Sequence, residues 1–230
     1  MSRLRILILI SSVLIFIGIS GWYVYTGIRL GRTTFPAGAP PEDVKKAILP
    51  KQVSLTQLRP PALRPTDPIR YGSATSVVSV IEFGDFECAA CRQMKQTIAS
   101  ILPKYQGRVR FVWRDLPVED VNPHALAAAI FARCAQAQGK FWAAYDALFA
   151  SDTLNEAIFR SLATQLALDP VALDQCRRNS ALKAALQADV DVARGDGINT
   201  APLIFIGTKA LTGVIAPDIL ERELKLFLSS

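Results

Sequence analysis

Histidine is almost missing from this 230-residue chain and cysteine is scarce: there is one histidine, His124, and four cysteines. Zinc sites of C-x-x-C type usually need a second such pair or a pair of histidines. Neither is present. A four-cysteine site from Cys88, Cys91, Cys134 and Cys176, or copper(I) on Cys88 and Cys91, are the metal readings left, and neither is preferred. No metal and no cofactor is therefore expected. The formal charge of +6 comes from basic residues scattered in ones and twos. It forms no continuous stripe and is not interleaved with aromatics, as single-strand binders require, so nucleic acid is not an expected partner. No internal repeat is apparent.

What the chain does have is apolar residues, which make up half of it, with an excess at the front. After Arg3 and Arg5, residues 6–28 carry no charge. A helix of that length crosses a bilayer core of about 30 Å. Trp22, Tyr23 and Tyr25 crowd its far end, where amphipathic rings favour the membrane boundary. The alternative is a cleaved signal peptide with a small-x-small site at Gly18-Ile19-Ser20. The apolar stretch runs on past that site, which favours a retained anchor. Arg3 and Arg5 before the span nearly balance Arg29 and Arg32 after it, so charge alone leaves the orientation open.

Composition divides the rest. The expected organisation is a cytoplasmic tail (1–5), a transmembrane signal-anchor (6–28), a proline-rich spacer (29–66) and a globular domain (67–230). Eight of the fourteen prolines fall between Pro36 and Pro68, and such a segment behaves as a semi-rigid spacer. In the domain, residues 77–83 read as a buried strand, followed by helical spacing from Cys91 to Tyr105 that Gly107 closes. Val109, Phe111 and Trp113 alternate with arginines, which predicts a second strand with a wet face or edge. Helices are predicted from Asn122-Pro123 to Gly139 and over residues 141–149, 156–166, 170–178 and 181–194. A hairpin with strands at 203–206 and through Leu211, then a helix over 217–228, end the chain. The pattern is βαβ, an all-helical insert (about 122–195), then ββα.

The stretch "VIEFGDFECAACRQM" holds the chemistry. Cys88 stands where a strand gives way to a helix, and unpaired N–H groups and the helix dipole there favour an anion. Its thiol should ionise more readily than a free cysteine. Cys91 lies one turn on, on the same face, within reach of a disulfide and of expelling a mixed-disulfide partner. The strand–CxxC–helix context favours redox chemistry over metal binding.

With "AAAIFARCAQAQGKFWAAYDALF" and "GINTAPLIFIGTKALTG", this motif makes the chain from about Asp67 to Phe227 resemble the DsbA-like thiol:disulfide oxidoreductases. The resemblance implies an α/β thioredoxin-like fold with an inserted all-helical domain, behind a single N-terminal transmembrane helix. It implies that Glu82 is a buried acid beneath the cysteines that exchanges a proton with Cys91; otherwise Glu82 faces solvent from an edge strand. It implies that Pro202 is cis, which leaves the Thr200–Ala201 backbone free to pair with a substrate segment. With Cys88 committed to Cys91, the resemblance makes Cys134–Cys176 a structural disulfide, against the alternative of two buried free thiols. A structural disulfide needs an oxidising compartment. That places the amino terminus inside and the domain on the periplasmic or extracytoplasmic side of a bacterial inner membrane, single-pass. His124 reads as structural or exposed. Asp85 and Glu87 either oppose thiolate formation or are solvated.

The expected activity is disulfide exchange with exported proteins through Cys88-Ala-Ala-Cys91, in the oxidising direction, with a membrane redox partner that resets the pair. A reductase or isomerase of exported proteins (including cytochrome maturation) and a copper-binding or client-holding protein are the alternatives. Ala89-Ala90 brings no charge or side-chain donor to Cys88, so a weaker oxidant is expected than a histidine-containing site gives.

Overall fold

A computed structural model describes residues 54–229. The expected anchor (6–28) and most of the expected spacer lie outside the described residues, and no described helix is long and apolar enough to cross a membrane.

The centre is a five-stranded sheet in the order β1-β3-β2-β4-β5. Its strands are β1 (Ile69–Arg70), β2 (Val78–Gly84), β3 (Val109–Asp115), β4 (Leu203–Ile206) and β5 (Lys209–Thr212). β2 and β3 run parallel, Val78 opposite Val109 through Gly84 opposite Asp115. Parallel neighbours need a crossover, and α1 (Ala89–Ile101) supplies it. β4 pairs antiparallel with β2 and with β5, closing the hairpin.

The pleat sends alternate residues to opposite faces. Val80, Phe111, Trp113, Ile204 and Ile206 join one core with α1 and α7 (Pro217–Leu228), whereas Ile81, Phe83, Val112, Leu203 and Phe205 join another. Helix α1 buries Cys91, Met94, Ile98 and Ile101, the i, i+3, i+7 spacing of one helical face. Each of the larger three contributes about 1.5–3 kcal/mol relative to exposure.

Between β3 and β4 lie α2 (Ala125–Ala137), α3 (Phe141–Ala150), α4 (Glu156–Gln165), α5 (Pro170–Arg177) and α6 (Ser180–Gly195). Cys134 on α2 is bonded to Cys176 on α5. Asp169 caps α5, its carboxylate accepting from the Ala172 N–H at 2.7 Å.

Three expectations change. The N-cap of α2 is His124 and its first residue Ala125; Asn122, where the helix was expected to start, instead donates to Asp85 at 2.8 Å. β3 lies between β1 and β2, with Arg108 exposed and Arg110 half-buried, but the third arginine expected on the wet side is not exposed. Its Arg114 is buried, donating to Asp67 at 2.7 Å and to the Ala62 carbonyl at 2.8 Å. Packing also begins ahead of residue 67: Leu58 is buried in the second core with Ile81, Phe83 and Phe205. Proline-rich composition reports the lack of regular structure, but an irregular strap can still bury a leucine and pair with a buried guanidinium.

Candidate functional site

After β2 the chain turns through Asp85, Phe86 and Glu87, with the Cys88 N–H donating to the Asp85 carbonyl at 3.2 Å. Cys88 is extended (φ −77°, ψ 121°) and is the N-cap of α1. Its sulfur accepts the Cys91 N–H at 3.2 Å. N-cap side chains normally use oxygen for this bond; here sulfur does. Cys88 is half-buried and Cys91 fully buried, both as free thiols.

The loop before β4 forms the opposite wall. The Ala201–Pro202 peptide is cis, and the Cys88 thiol donates to the Ala201 carbonyl at 3.7 Å. Pro202 is buried, its carbonyl accepting from the Gly213 N–H at 2.9 Å, while Thr200 is exposed. A groove of about 320 Å³ runs between Cys88, Val118, Val121, Asn122, Thr200 and Ala201. A larger cleft, about 460 Å³, lies away from the cysteines, between residues 59–67 and α6. It contains no sulfur nucleophile and is not the candidate site.

The electrostatics separate the two thiols. Hydrogen bonding from the Cys91 side chain, helped by the Cys91 and Ala90 N–H groups, brings Cys88 down to about 7 against the opposing effects of burial and Asp85. Burial, then the hydrogen bond to Cys88 and the charges of Glu82 and Cys88, push Cys91 far above the ordinary thiol range. One sulfur is thus an accessible nucleophile near neutral pH and the other is kept protonated.

Glu82 is fully buried on β2, opposite Trp113 and Ile204. It is not an edge-strand residue facing solvent. Neither carboxyl oxygen has a hydrogen-bond partner among the described residues. Burial, with the Cys88 charge added, raises its pKa well above the usual carboxyl value. Burial therefore favours the neutral carboxyl of Glu82 over the carboxylate.

Of the two readings for the flanking acids, opposition to the Cys88 thiolate holds for Asp85. Asp85 is not solvated but buried, accepting from the Glu87 N–H (2.8 Å), the Val118 N–H (2.9 Å) and the Asn122 amide (2.8 Å). Glu87 accepts the His124 N–H at 2.7 Å and sits 3.0 Å from His124 Nδ1. His124 is thus tied to the turn that carries Cys88, half-buried and at the cap of α2. No local pattern marks the contacts of Asp85 with Val118 and Asn122 or of Glu87 with His124, whose donors lie over thirty positions away. Among the described residues no group of three or more metal-ligating side chains forms.

A protein of the thiol–disulfide exchange class is what this fold accommodates, and comparison with known proteins agrees. The family model described as Thioredoxin matches residues 64–225, and the chain belongs to the thioredoxin family. Among solved structures, a thioredoxin-like oxidoreductase from Silicibacter pomeroyi superposes with a TM-score of 0.65 at 23% identity, covering 73% of this chain and 95% of that one. A periplasmic thioredoxin-like protein from Salmonella enterica serovar Typhimurium gives 0.62 at 22% identity, covering 73% and 92%. The thiol-disulfide exchange protein alpha-DsbA2 from Wolbachia pipientis gives 0.63 at 18%, covering 70% and 87%. Identities this low establish the fold. Family membership supports thiol–disulfide oxidoreductase activity in general terms.

Two curated relatives carry a different name. The Na(+)/H(+) antiporter NhaA 3 of Salinispora tropica is 37% identical over 149 residues, 62% of this chain but 22% of that protein. NhaA 1 of Salinispora arenicola is 33% identical over 174 residues, 74% of this chain and 26% of that protein. The chain spans about a quarter of their length, so the likeness is to a segment of them, and ion transport is not carried over.

Proposed function

We propose that this protein is a membrane-tethered, extracytoplasmic thiol:disulfide oxidoreductase that exchanges disulfides with exported proteins through Cys88 and Cys91. The observation that carries the proposal is the asymmetry of the pair. Cys88 is half-exposed with its thiol near 7, and Cys91 is buried and protonated one turn behind it.

In the oxidising direction a substrate thiolate attacks Cys88 Sγ of the Cys88–Cys91 disulfide. The sulfur–sulfur bond breaks, and Cys91 leaves with the electron pair, taking a proton from Glu82 or water. A second substrate thiolate attacks the substrate sulfur of the mixed disulfide and expels Cys88 as a thiolate. The substrate has then lost two electrons and gained a disulfide, and the Cys88–Cys91 pair holds those electrons. A membrane redox partner that accepts them completes the cycle. The Ala201 carbonyl 3.7 Å from the Cys88 sulfur, beside an exposed Thr200, supports strand-like pairing of substrate with the Thr200–Ala201 backbone. The uncharged stretch at residues 6–28 and the Cys134–Cys176 bond support the extracytoplasmic, anchored placement.

The same Cys88 value favours a second direction. Active-site thiols of this class range from about 3.5 in a strong oxidant to about 7 in thioredoxin, so a reductase or isomerase role fits the upper end. Two measurements decide. The Cys91→Ala variant should trap exported proteins as mixed disulfides in cells, and Cys88→Ser should abolish insulin reduction; unchanged activity in Cys88→Ser ends the enzymatic reading. A pair found oxidised in cells supports the oxidase, a reduced pair the reductase. The potential against glutathione should be well below the about −120 mV of the strongest oxidant. Copper retained through purification would instead favour the metal-binding alternative.

A further inference from the structure

Loops form both walls of the groove beside Cys88, one before β4 and one after β3. The latter, residues 116–124, presents Val118 and Val121 to the groove, and Val121 is 72% exposed. A large apolar side chain left in solvent at the rim of a groove is where a partner's apolar group gains most from contact. Between the two valines stand Glu119 and Asp120, exposed and outside the groove lining. No charged residue lines this groove. That neutrality depends on register: a slip of one or two residues would bring a carboxylate to where a valine now stands.

Asp85 holds the register. One carboxyl oxygen, Oδ2, accepts from both the Val118 N–H at 2.9 Å and the Asn122 amide at 2.8 Å, so the two ends of the valine segment are fixed at one point. The other, Oδ1, accepts the Glu87 N–H at 2.8 Å. Glu87 in turn fixes His124 through its backbone at 2.7 Å. The carbonyl of Asp85 also accepts the Cys88 N–H. One residue therefore fastens the nucleophile's turn and the apolar wall to each other. A buried carboxylate with three donors is a strong tie, since hydrogen bonds to a carboxylate are stronger than those between neutral groups.

We propose that Asp85 is a positioning residue that keeps Val118 and Val121, rather than Glu119 and Asp120, against the groove, so that the site selects protein segments whose cysteine has apolar neighbours. This rests on the thiol–disulfide reading and specifies its substrate class.

The test uses the oxidised full-length chain and two synthetic peptides, each with one cysteine flanked by valines or by lysines. Reaction rates are taken in high salt, which screens exposed charges. Each is divided by the same peptide's rate with glutathione disulfide, which removes the effect of the flanks on the cysteine itself. The wild type should favour the valine peptide about tenfold, the ratio that about 1.4 kcal/mol gives. In Asp85→Ala the ratio should fall below about threefold. It is a ratio for one protein, so a change in the reactivity of Cys88 cancels. Val121→Ser, a surface change that touches none of the ties, should lower the ratio too and keeps the test decisive if Asp85→Ala does not fold. A wild-type ratio near one overturns the proposal, as does a ratio unmoved in both variants. No reaction with either peptide or with dithiothreitol would instead overturn the thiol–disulfide reading itself.

Discussion

The backbone N–H of Cys91 lies 3.2 Å from the sulfur of Cys88 and donates to it. With the larger effect of the hydrogen bond from the Cys91 thiol, this contact lets the second cysteine stabilise the first as an anion, and the fold needs no charged residue between them. Ala89 and Ala90 suffice because the helix start and the buried partner thiol do the work that a charged side chain would otherwise do.

Glu82 gives a pH-dependent stability. Its folded-state pKa lies above the ordinary carboxyl value of about 4.3. The folded state therefore binds a proton that the unfolded state releases. The stability this supports is complete below about pH 4.3 and is lost as pH rises toward the folded-state pKa. Glu82→Gln should be more stable than the wild type at pH 8 by upward of about 1 kcal/mol, because a charged group buried without partners is the more costly state. The two should converge near pH 4. Urea midpoints across that range check it, and a difference constant with pH would contradict it.

The Cys134–Cys176 bond closes a loop of sequence separation 42. Chain-entropy reasoning gives up to about 4 kcal/mol for such a loop. The Cys134→Ala/Cys176→Ala double variant should lower stability by about 2–4 kcal/mol by denaturant titration. Disulfide exchange at Cys88 and Cys91 should persist wherever the variant is folded.

Asp67 pairs with Arg114 in a contact where both side chains are nearly inaccessible (4% and 7%). Removing one partner of a buried pair leaves an uncompensated charge and typically costs 3–5 kcal/mol. Asp67→Ala should lose about that much, and Leu58→Ala about 2–5 kcal/mol. Near-wild-type stability in both would show that residues 58–67 are dispensable to the fold.

Much of this was legible in the sequence, and the parts that were not share a physical reason. The β4 strand, the α7 helix and the strand–CxxC–helix junction follow from local periodicity, caps and glycine breaks, and the structure places them within a residue or two of expectation. The burial of Glu82 was expected only from the resemblance to the DsbA-like oxidoreductases, since its strand position alone also allowed a solvent-facing side chain. By contrast, β1 has two residues, too few for any period to register. Arg114 alternated with apolar neighbours and therefore looked wet; its burial depends on Asp67, 47 positions earlier. Whether Asp85 and Glu87 were solvated could not be read locally, because the donors they hold arrive on a distant loop. Local pattern reports which face a side chain takes, but not what arrives to cover it.

The most direct test is the ionisation of Cys88 in the reduced protein, followed by its rate of alkylation as pH is raised, with Cys91→Ala measured alongside. The wild type should titrate at about 7, and removing the Cys91 thiol should shift the titration upward. A Cys88 that ionises like free cysteine, at about 8.5, and does not respond to the loss of Cys91 would contradict the account.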